Sequence, residues 1–272
     1  NKSHAVAYSY VAYWMAYLKA NYSSYFLAVL LNSQIGAVSG TKKYIRECNK
    51  MKIKVLPPKI NKSGVEYLYE EKGLRFPYKA IKGIGEVMAE RLVEIQTEKK
   101  VTSFIDFYAR AKDVNRNVIE ALIYANVFSE FLVNKKTLIE NLERVEAFVN
   151  FHYSDDEFNY IEYDEYNYEE MEEYERDLLG VNFEYHILNQ YNDVIEKHNY
   201  LTVSDILDSR LGRKKYVGVL ANKKEITTKK GDKMAFLGIE DEFSQIDAVL
   251  FPRNYDKFYD RIKIDQVYLF FG

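Results

Sequence analysis

Two glycines one residue apart, Gly83 and Gly85, stand directly before an amphipathic segment that predicts a helix over residues 86–96. Glycine permits a positive φ in such a turn and lets another group approach the backbone closely, while the first N–H groups of the helix point outward. This combination suits a phosphate, and nearby cations add attraction. The residues predicted to bind phosphate here are Lys79, Lys82, Gly83, Ile84, Gly85 and Arg91. The alternative is an ordinary turn at the start of a helix.

A second cluster of cations surrounds a predicted strand pair near residue 230. Its lysines could follow a nucleic-acid backbone while Phe236, and Phe251 on the neighbouring strand, stack on bases. The residues predicted to contact a single strand are Lys223, Lys224, Lys229, Lys230, Lys233 and Phe236. Two alternatives stay open: strand phenylalanines are commonly core residues, and edge lysines also keep strands from aggregating.

A third candidate site lies at the start of the first predicted helix. Asn1, Lys2, Ser3 and His4 place a lysine and several hydrogen-bond donors at the positive end of that helix. Such an end suits a phosphate. A plain helix cap, with Ser3 as the capping residue, explains the pattern equally well.

No group of residues has the spacing of a catalytic centre. No Asp-x-Asp pair lies on a predicted strand where two metal ions could be held, and Asp155-Asp156-Glu157 falls in a low-complexity segment. No P-loop, Gly-x-Ser-x-Gly or Cys–His pair occurs on plausible elements. The four histidines are scattered, and a single cysteine, Cys48, excludes both a disulfide framework and a Cys-rich zinc site. We therefore predict no catalytic residue, no metal site and no cofactor within this sequence.

Charge is segregated along the 272 residues. The formal net charge is −3, yet residues 155–177 hold twelve acidic residues and one basic residue, which leaves 37 basic and 29 acidic residues elsewhere. Segregation of this kind is expected when one region meets phosphates and another stays away from them. A solvated acidic surface is the alternative.

The elements that position the first candidate sites are predicted to be helical. Residues 4–22 are apolar on nearly every side, which predicts a buried helix. A helix over residues 25–32 can be capped by either preceding serine, and Thr41 can cap a helix over 42–52. A short strand over 53–56 and a hairpin of residues 65–69 and 74–76 come before the glycine turn. Later helices are predicted over 86–96, over 104–112 with Ser103 as cap, over 118–125 with Asn115 or Asn117 as cap, and over 136–150.

Residues 104–128 repeat the order of helix, short break and helix, but the break, Asn115-Arg116-Asn117, contains no glycine. We interpret this segment as a degenerate second copy of a helix-hairpin-helix with a packing role. A second phosphate clamp is the alternative. Residues 151–178 are low in complexity and predict a linker, followed by short helices over 174–179, 187–197 and, capped by Thr202, 203–209.

From residue 215 onward the period becomes that of strands. Strands are predicted over 216–221, 234–239, 246–251 and 267–271, with a helix over 254–261. Four strands with a helix before the last are what a five-stranded oligonucleotide-binding (OB) barrel shows when cut before its final strand. The predicted fold class is therefore multidomain α+β: mainly helical in its N-terminal two thirds, with tandem helix-hairpin-helix, followed by a truncated OB-type barrel.

Several separate motifs, in order, resemble the alpha subunit of bacterial DNA polymerase III, a family of replicative polymerases. They are Asn1-Lys2-Ser3-His4-Ala5-Val6-Ala7-Tyr8, Tyr17-Leu18-Lys19-Ala20, Ile53-Lys54-Val55-Leu56-Pro57-Pro58, Ala80-Ile81-Lys82-Gly83-Ile84-Gly85-Glu86, residues 117–128 and 175–180, and Ile226-Thr227-Thr228-Lys229-Lys230-Gly231 with Phe236. The resemblance covers nearly the whole sequence except residues 150–174.

The resemblance implies four regions. Residues 1–60 correspond to the C-terminal part of a fingers domain, with residues 1–4 near nucleotide and template. Residues 61–150 correspond to a tandem helix-hairpin-helix domain that holds duplex DNA near the sliding clamp. Residues 151–205 form the acidic, tyrosine-rich linker with short helices, and residues 206–272 an OB-fold domain that faces single-stranded template.

The resemblance also implies that the parent protein is a DNA-directed DNA polymerase that uses Mg²⁺, while this fragment lacks the catalytic carboxylates and should be inactive alone. Expected partners are double- and single-stranded DNA, the sliding clamp and other replisome subunits. A clamp-binding peptide of the form Gln-x-x-Leu/Met-Phe is common in the family, but residues 150–174 contain none. Clamp binding through such a peptide is therefore doubtful.

No signal peptide opens the sequence, and its most apolar stretch, residues 5–18, is shorter than the roughly 20 residues that a bilayer span requires. We expect a cytoplasmic protein without membrane contact. Two other functions remain as alternatives: a replisome interaction module that binds clamp or loader proteins with little DNA binding of its own, and a repair protein that combines hairpin and barrel. The fingers-like opening argues against the second.

Overall fold

The computed structural model describes residues 2–70, 73–151, 158–209 and 212–272. The chain divides into two compact units, residues 1–183 and 184–272. The predicted fold class is confirmed, because a largely helical portion comes before an antiparallel sheet that curls into a partial barrel. The predicted domain boundaries after residues 60, 150 and 205 stay predictions.

The first unit surrounds a small sheet with helices. Its helices are α1 (Lys2–Asn21), α2 (Ser23–Asn32), α3 (Val38–Lys50), α4 (Glu86–Glu98), α5 (Phe104–Arg110), α6 (Arg116–Tyr124), α7 (Lys135–Glu140), α8 (Leu142–Phe151) and α9 (Tyr168–Leu179). Strands β1 (Val55–Leu56), β2 (Leu68–Glu70) and β3 (Gly73–Arg75) form a sheet in the order β1-β3-β2. Because β2 and β3 are antiparallel, the predicted hairpin is confirmed, with its first strand ending one residue later than expected.

The first predicted helix is present, but its predicted burial is wrong. None of the side chains of α1, all of them described, is buried. Contacts with the rest of the unit come near its C-terminal end, where Lys19 forms a 2.6 Å ion pair with Glu47 of α3. A helix that is apolar on every side favours a buried position, but it becomes buried only where another element packs against it. The described residues provide none for most of α1.

Two helix boundaries also differ from their predictions. Helix α3 begins at Val38, so Thr41 is not its cap; the Thr41 side chain is buried and donates a hydrogen bond to the Gln34 carbonyl at 3.2 Å. The single helix predicted over 136–150 is two helices that meet at Asn141. The buried Asn141 side chain accepts a hydrogen bond from the Ile161 N–H and donates one to the Ile161 carbonyl.

Residues 158–167, within the predicted linker, are extended and lie against α7 and α8. The backbone N–H and carbonyl groups of Ile161 form hydrogen bonds with the side chain of Asn141, and those of Tyr163 form hydrogen bonds with the side chain of Thr137. Asn167 then caps α9 through a reciprocal capping box with Glu170. The acidic segment therefore contributes ordered structure from residue 158 onward.

The serine cap predicted for the second helix is also wrong, because α2 begins at Ser23 and its N-cap, Tyr22, makes no side-chain cap hydrogen bond. Two other capping predictions are confirmed. Ser103 accepts a hydrogen bond from the Asp106 N–H at 3.0 Å at the start of α5, and Asn115, one of two candidates, accepts one from Val118 at 3.0 Å at the start of α6. Buried side chains of α4, α5 and α6, together with Phe128 after α6, belong to the core of this region; those of the helices are Leu92, Ile95, Phe104, Phe107 and Leu122.

The second unit is a four-stranded antiparallel sheet with short helices. Its helices are α10 (Asn192–His198), α11 (Val203–Asp208) and α12 (Pro252–Phe258), and its strands are β4 (Lys215–Thr227), β5 (Lys233–Glu240), β6 (Gln245–Leu250) and β7 (Val267–Phe271). The strand order is β6-β5-β4-β7, so the chain crosses over through α12 before β7. Thr202 caps α11 as predicted. The inner face of the sheet packs on α11 and α12 around Leu220, Ala235, Ile239 and Tyr255.

Candidate nucleic-acid interface

The two glycines of the turn have different backbone conformations. Gly83 has a φ of +90°, which side chains other than glycine rarely adopt. Gly85 has a φ of −78° and a ψ of 172°, which any residue can adopt, and it is the N-cap of α4. No described atom lies within 4 Å of a Cβ built at either position. The fold itself therefore requires glycine at residue 83 but leaves open space at residue 85.

The turn is exposed at its tip and anchored at its base. Gly83 and Gly85 are exposed, whereas Ile81, which precedes them, is 1 % exposed and Ile84, which lies between them, is 4 % exposed. No described side chain caps the 13-residue helix α4 at Gly85. The first N–H groups of α4 therefore lie at an exposed position beside two glycines. The partial positive charge at the start of a helix attracts an anion there. A rigid turn of this kind can hold a phosphate without rearranging.

The three predicted cations near the turn have different partners. Lys82 is exposed and, among the described residues, its ammonium has no carboxylate within ion-pair distance. Lys79 pairs with Glu86, in the first turn of α4, at 3.2 Å. Both lysines adjoin the turn, so the structure brings Lys79, Lys82, Gly83 and Gly85 together.

Arg91 lies further along α4 and is held by acidic groups. Its guanidinium donates a 2.7 Å hydrogen bond to Asp113 and lies 3.3 Å from Glu94 and 4.0 Å from Glu98. The hydrogen bond to Asp113 raises the pKa of Arg91 and lowers the pKa of the Asp113 carboxyl. These carboxylates offset the positive charge of Arg91. Its hydrogen bond to Asp113 also links α4 to the loop before α6.

The break between α5 and α6 differs from the glycine turn. Asn115 caps α6, and Arg116 pairs with Glu120 at 2.9 Å and Glu143 at 3.8 Å. Its guanidinium is therefore engaged, and Val114 before it is buried. This arrangement fits the predicted packing role of the second helix pair.

Three side chains form a row across the exposed face of the sheet. Lys224 on β4 is opposite Phe236 on β5, which is opposite Val249 on β6. Phe236 is 43 % exposed, and Phe251, two residues after Val249, is 62 % exposed. Neither phenylalanine is a core residue in this structure. The row thus combines one cation with an aromatic ring open to a stacking base.

The five predicted lysines of this region lie on the two faces of β4, in the turn after it and at the start of β5. Lys229 and Lys230 are exposed in the turn between β4 and β5. Lys233 pairs with Glu225 at 3.2 Å. The Lys223 ammonium instead donates 3.0 Å hydrogen bonds to the carbonyls of Tyr259 and Ile262 and lies over the Tyr259 ring.

Lys223 therefore lies on the opposite face from Lys224 and caps the end of α12. This follows from the two-residue period of a strand, which sends neighbouring side chains to opposite faces. The structure brings together Lys224, Lys229, Lys230 and Phe236 on the exposed side, and it places Lys223 apart from them.

The residues at the start of α1 are exposed. Asn1 lies outside the described residues, and Lys2, Ser3 and His4 form the first turn of the helix. The His4 ring packs edge-on against Tyr8 with centroids 4.5 Å apart. Whether these residues meet nucleotide or template stays a prediction.

Two further findings concern metal sites and membrane-spanning helices. Within the described ranges, no cluster of three or more His, Cys, Asp or Glu side chains could hold a metal ion. None of the described helices is both long and apolar enough to cross a lipid bilayer.

Comparison with known families supports both halves of the fold. Residues 52–138 match the family model described as a helix-hairpin-helix motif, and residues 215–272 match that of an OB-fold nucleic acid binding domain. The first match contains the glycine turn, and the second contains the exposed row of the sheet.

Comparison with whole proteins extends along nearly the whole chain. The chain is 33 % identical over 271 residues to DNA polymerase III subunit alpha of Bacillus subtilis, a match that covers 94 % of this chain and 24 % of that protein. The predicted family resemblance is confirmed. The DNA polymerase III alpha subunits of Borreliella burgdorferi and Aquifex aeolicus are 33 % and 30 % identical, over 95 % and 98 % of this chain. The chain spans about a quarter of the length of these relatives and corresponds to their C-terminal portion.

Val249, the third side chain of the exposed row, was not among the predicted residues, although its alternation with Phe251 could have identified it. The engagement of Arg91 by Asp113 could not be predicted either, because the two residues are 22 positions apart. Whether the alpha-subunit resemblance extends to each predicted contact stays a prediction.

Proposed function

We propose that this chain is the DNA-holding portion of a DNA polymerase III alpha subunit, and that it grips DNA without sequence preference through phosphates. One observation carries the proposal. Gly85 stands in open space, in a conformation open to any residue, at the uncapped start of α4. A glycine that the fold does not require is explained if something outside the chain must approach the backbone there, and a phosphate fits a helix start.

Duplex DNA is the proposed ligand of the glycine turn. The turn presents exposed N–H groups beside Lys82 and Lys79, and Ile84 anchors it in the core. Contacts of this kind engage the sugar-phosphate backbone and carry no sequence information. The match of residues 52–138 to a helix-hairpin-helix model supports this assignment.

Single-stranded DNA is the proposed ligand of the sheet. Phe236 offers a ring for base stacking, and Lys224, Lys229 and Lys230 offer charge for the backbone beside it. OB folds use this face and the turn between the first two strands for oligonucleotides. The match of residues 215–272 to a nucleic-acid-binding OB-fold model supports the assignment.

Polymerisation is proposed for the whole protein and not for this chain alone. The described residues hold no cluster of carboxylates that could bind the Mg²⁺ expected of a polymerase. The chain's contribution would be to hold product and template so that the polymerase stays on its substrate. Cytoplasmic location belongs to the same proposal.

The test is fluorescence anisotropy of labelled duplex and single-stranded DNA with the 272-residue chain and two charge-reversal variants. Lys82→Glu should weaken duplex binding more than single-strand binding, because it reverses a cation at the turn. Lys100→Glu, an exposed lysine beyond the far end of α4, is the matched control and should have a smaller effect. Equal losses of duplex binding in the two variants would contradict the assignment of the turn.

A replisome interaction module is the second candidate, and the surface of α1 favours it. Tyr8, Tyr13 and Trp14 are 63 %, 62 % and 55 % exposed, and apolar surface of this kind marks contacts with other protein. Retention of the chain on immobilised sliding clamp, together with no measurable DNA binding, would favour this candidate over the first.

A further inference from the structure

We infer that a basic cleft beside the glycine turn is a second phosphate subsite, in which Lys42 and Arg176 bind a backbone phosphate of the duplex held at the turn. The inference rests on the proposed duplex binding and extends it to residues outside the matched region 52–138. Lys42 belongs to α3 and Arg176 to α9, so neither is part of the helix-hairpin-helix motif.

The cleft has a volume of about 690 Å³ and lies entirely within the first unit. Three elements form it: the start of α3, the glycine turn and the last turn of α9. The charged residues that line it are Lys42, Lys79, Lys82, Arg176 and Asp177. Four cations against one acid give the cleft a positive charge.

Most of this charge is available to a ligand. Among the described residues, the side chains of Lys42, Lys82 and Arg176 have no carboxylate within ion-pair distance, whereas Lys79 pairs with Glu86. The walls between the cations are apolar and include Val38, Phe76 and Leu179. Apolar walls lower the local dielectric constant, which strengthens the attraction of these cations for an anion.

The three elements are held together, so the cations do not need to be gathered when a ligand arrives. The Lys82 N–H donates a 2.9 Å hydrogen bond to the Leu178 carbonyl, which joins the turn to the end of α9. A Cβ at Gly180 would lie 3.2 Å from both Val38 methyl groups, so the end of α9 packs closely on the start of α3. Preorganised charges of this kind lose little entropy on binding.

The cleft shares Lys82, Gly83 and Ile84 with the turn, which is why we assign it a DNA phosphate and not a free anion. Successive phosphates of a strand are covalently linked. A strand that holds one phosphate at the N–H groups of α4 therefore brings a neighbouring phosphate to the cleft. Lys42 and Arg176 then bind it from the two sides opposite the turn.

The experiment measures duplex affinity against salt concentration for the 272-residue chain and its Lys42→Gln and Arg176→Gln variants. Each variant should lose about five- to tenfold in affinity at 0.1 M salt and reduce the slope of log K against log salt by about 1, as expected for one lost phosphate contact. Asp177→Asn, which removes the acid of the cleft, should raise the affinity. Lys43→Gln is the matched control, since Lys43 is the next residue of α3 and does not line the cleft.

The outcomes separate this inference from the function on which it rests. If Lys82→Glu weakens duplex binding while Lys42→Gln and Arg176→Gln behave like Lys43→Gln, the cleft is not a subsite and only this inference fails. If the unsubstituted chain shows no salt-dependent duplex binding, the proposed function fails. A titration with inorganic pyrophosphate completes the test: tight binding that Lys42→Gln abolishes without changing duplex affinity would assign the cleft to a free anion and overturn the inference. Thermal unfolding confirms that each variant is folded.

Discussion

At the scale of single residues, Gly83 and Gly85 differ in backbone conformation and therefore in what a side chain would do at each position. Gly83 has a positive φ, a backbone conformation that disfavours any side chain at this position. Gly85 has an ordinary φ of −78° and open space around its missing Cβ. The first glycine allows the backbone to turn, and the second is proposed to leave room for a phosphate.

Substituting the two glycines separately tests this division of roles. Gly85→Ala should change the free energy of unfolding by no more than about 1 kcal/mol, because alanine adopts this φ and the N-cap cost opposes the gain from a less flexible unfolded chain. It should still weaken duplex binding, because its methyl group occupies the approach to the α4 N–H groups. Gly83→Ala should destabilise the chain by about 1 kcal/mol or more. Denaturant unfolding and anisotropy measure the two effects, and unchanged duplex binding in folded Gly85→Ala would contradict the role of residue 85.

Sequence could predict the turn because its signal is local, but it could not predict how each nearby cation is used. Among the described residues the Lys82 ammonium has no carboxylate partner, whereas Arg91 is bound to Asp113, a difference set by how α4 packs on the next helix pair. For Lys223 and Lys224 the signal was present: neighbouring strand residues face opposite sides, so only one of the two could face a ligand on that surface. Lys42 and Arg176 are far apart in the sequence and line the same cleft only in the folded chain.

At the scale of elements, three side-chain caps were predictable from the sequence, whereas the caps expected at Thr41 and at the serines before residue 25 were wrong, and burial was not predictable. Ser103, Asn115 and Thr202 cap their helices because capping depends on residues three positions apart. The exposure of α1 and of Phe236 depends on what packs against them, which no local pattern contains. The break at Asn141 likewise arises from hydrogen bonds to Ile161, twenty residues away.

The sheet row makes a prediction at this scale. Phe236→Ala should weaken binding of single-stranded DNA at least about fivefold, since base stacking on an aromatic ring contributes about 1–3 kcal/mol. Duplex affinity should change little, because duplex contacts are proposed at the glycine turn. Phe258→Ala is the control, since Phe258 is similarly exposed but lies on α12. Equal losses in both variants would exclude Phe236 as a stacking residue.

The junction between α4 and α5 makes a prediction about stability. The Asp106 carboxylate accepts hydrogen bonds from the Thr102 N–H and from Arg110, which also donates to the Ile95 and Lys99 carbonyls of α4. Burial raises the pKa of Asp106, but the bonds from Thr102 and Arg110 outweigh it, so its pKa lies below the usual value. A carboxylate with a lowered pKa stabilises the fold above its unfolded pKa of about 4, and this stabilisation is lost as pH falls further.

Asp106→Asn should therefore lower the free energy of unfolding by about 1–3 kcal/mol at pH 7, because the buried charged hydrogen bonds are lost. The difference from the unsubstituted chain should shrink below about pH 4. Glu120→Gln is the control, since its pair with Arg116 has the same helical spacing but is exposed, and it should cost less than about 0.5 kcal/mol. Urea unfolding at several pH values measures both, and a difference that does not depend on pH would contradict the role of the Asp106 carboxylate.

At the scale of the whole molecule, two units carry two proposed modes of nucleic-acid contact. The first unit contains the glycine turn and its basic cleft, and the second contains the stacking row of the sheet. The order of motifs along the sequence predicted the alpha-subunit resemblance and a helical portion followed by a partial barrel, because that order does not depend on packing. The acidic linker with short helices predicted over residues 151–205 stays a prediction; within it, Tyr163 and Ile161 hydrogen-bond to Thr137 of α7 and to Asn141 between α7 and α8.

The central claim is that the glycine turn holds duplex DNA through its phosphates and without reading its bases. The most direct test is the affinity for one duplex, measured by anisotropy from 50 to about 300 mM salt, for the unsubstituted chain and for Lys82→Gln. We expect log K to fall linearly with log salt, by about 0.9 per phosphate contact, and Lys82→Gln to reduce that slope by about 1. An affinity that does not change with salt, or a slope that Lys82→Gln leaves unchanged, would contradict the account.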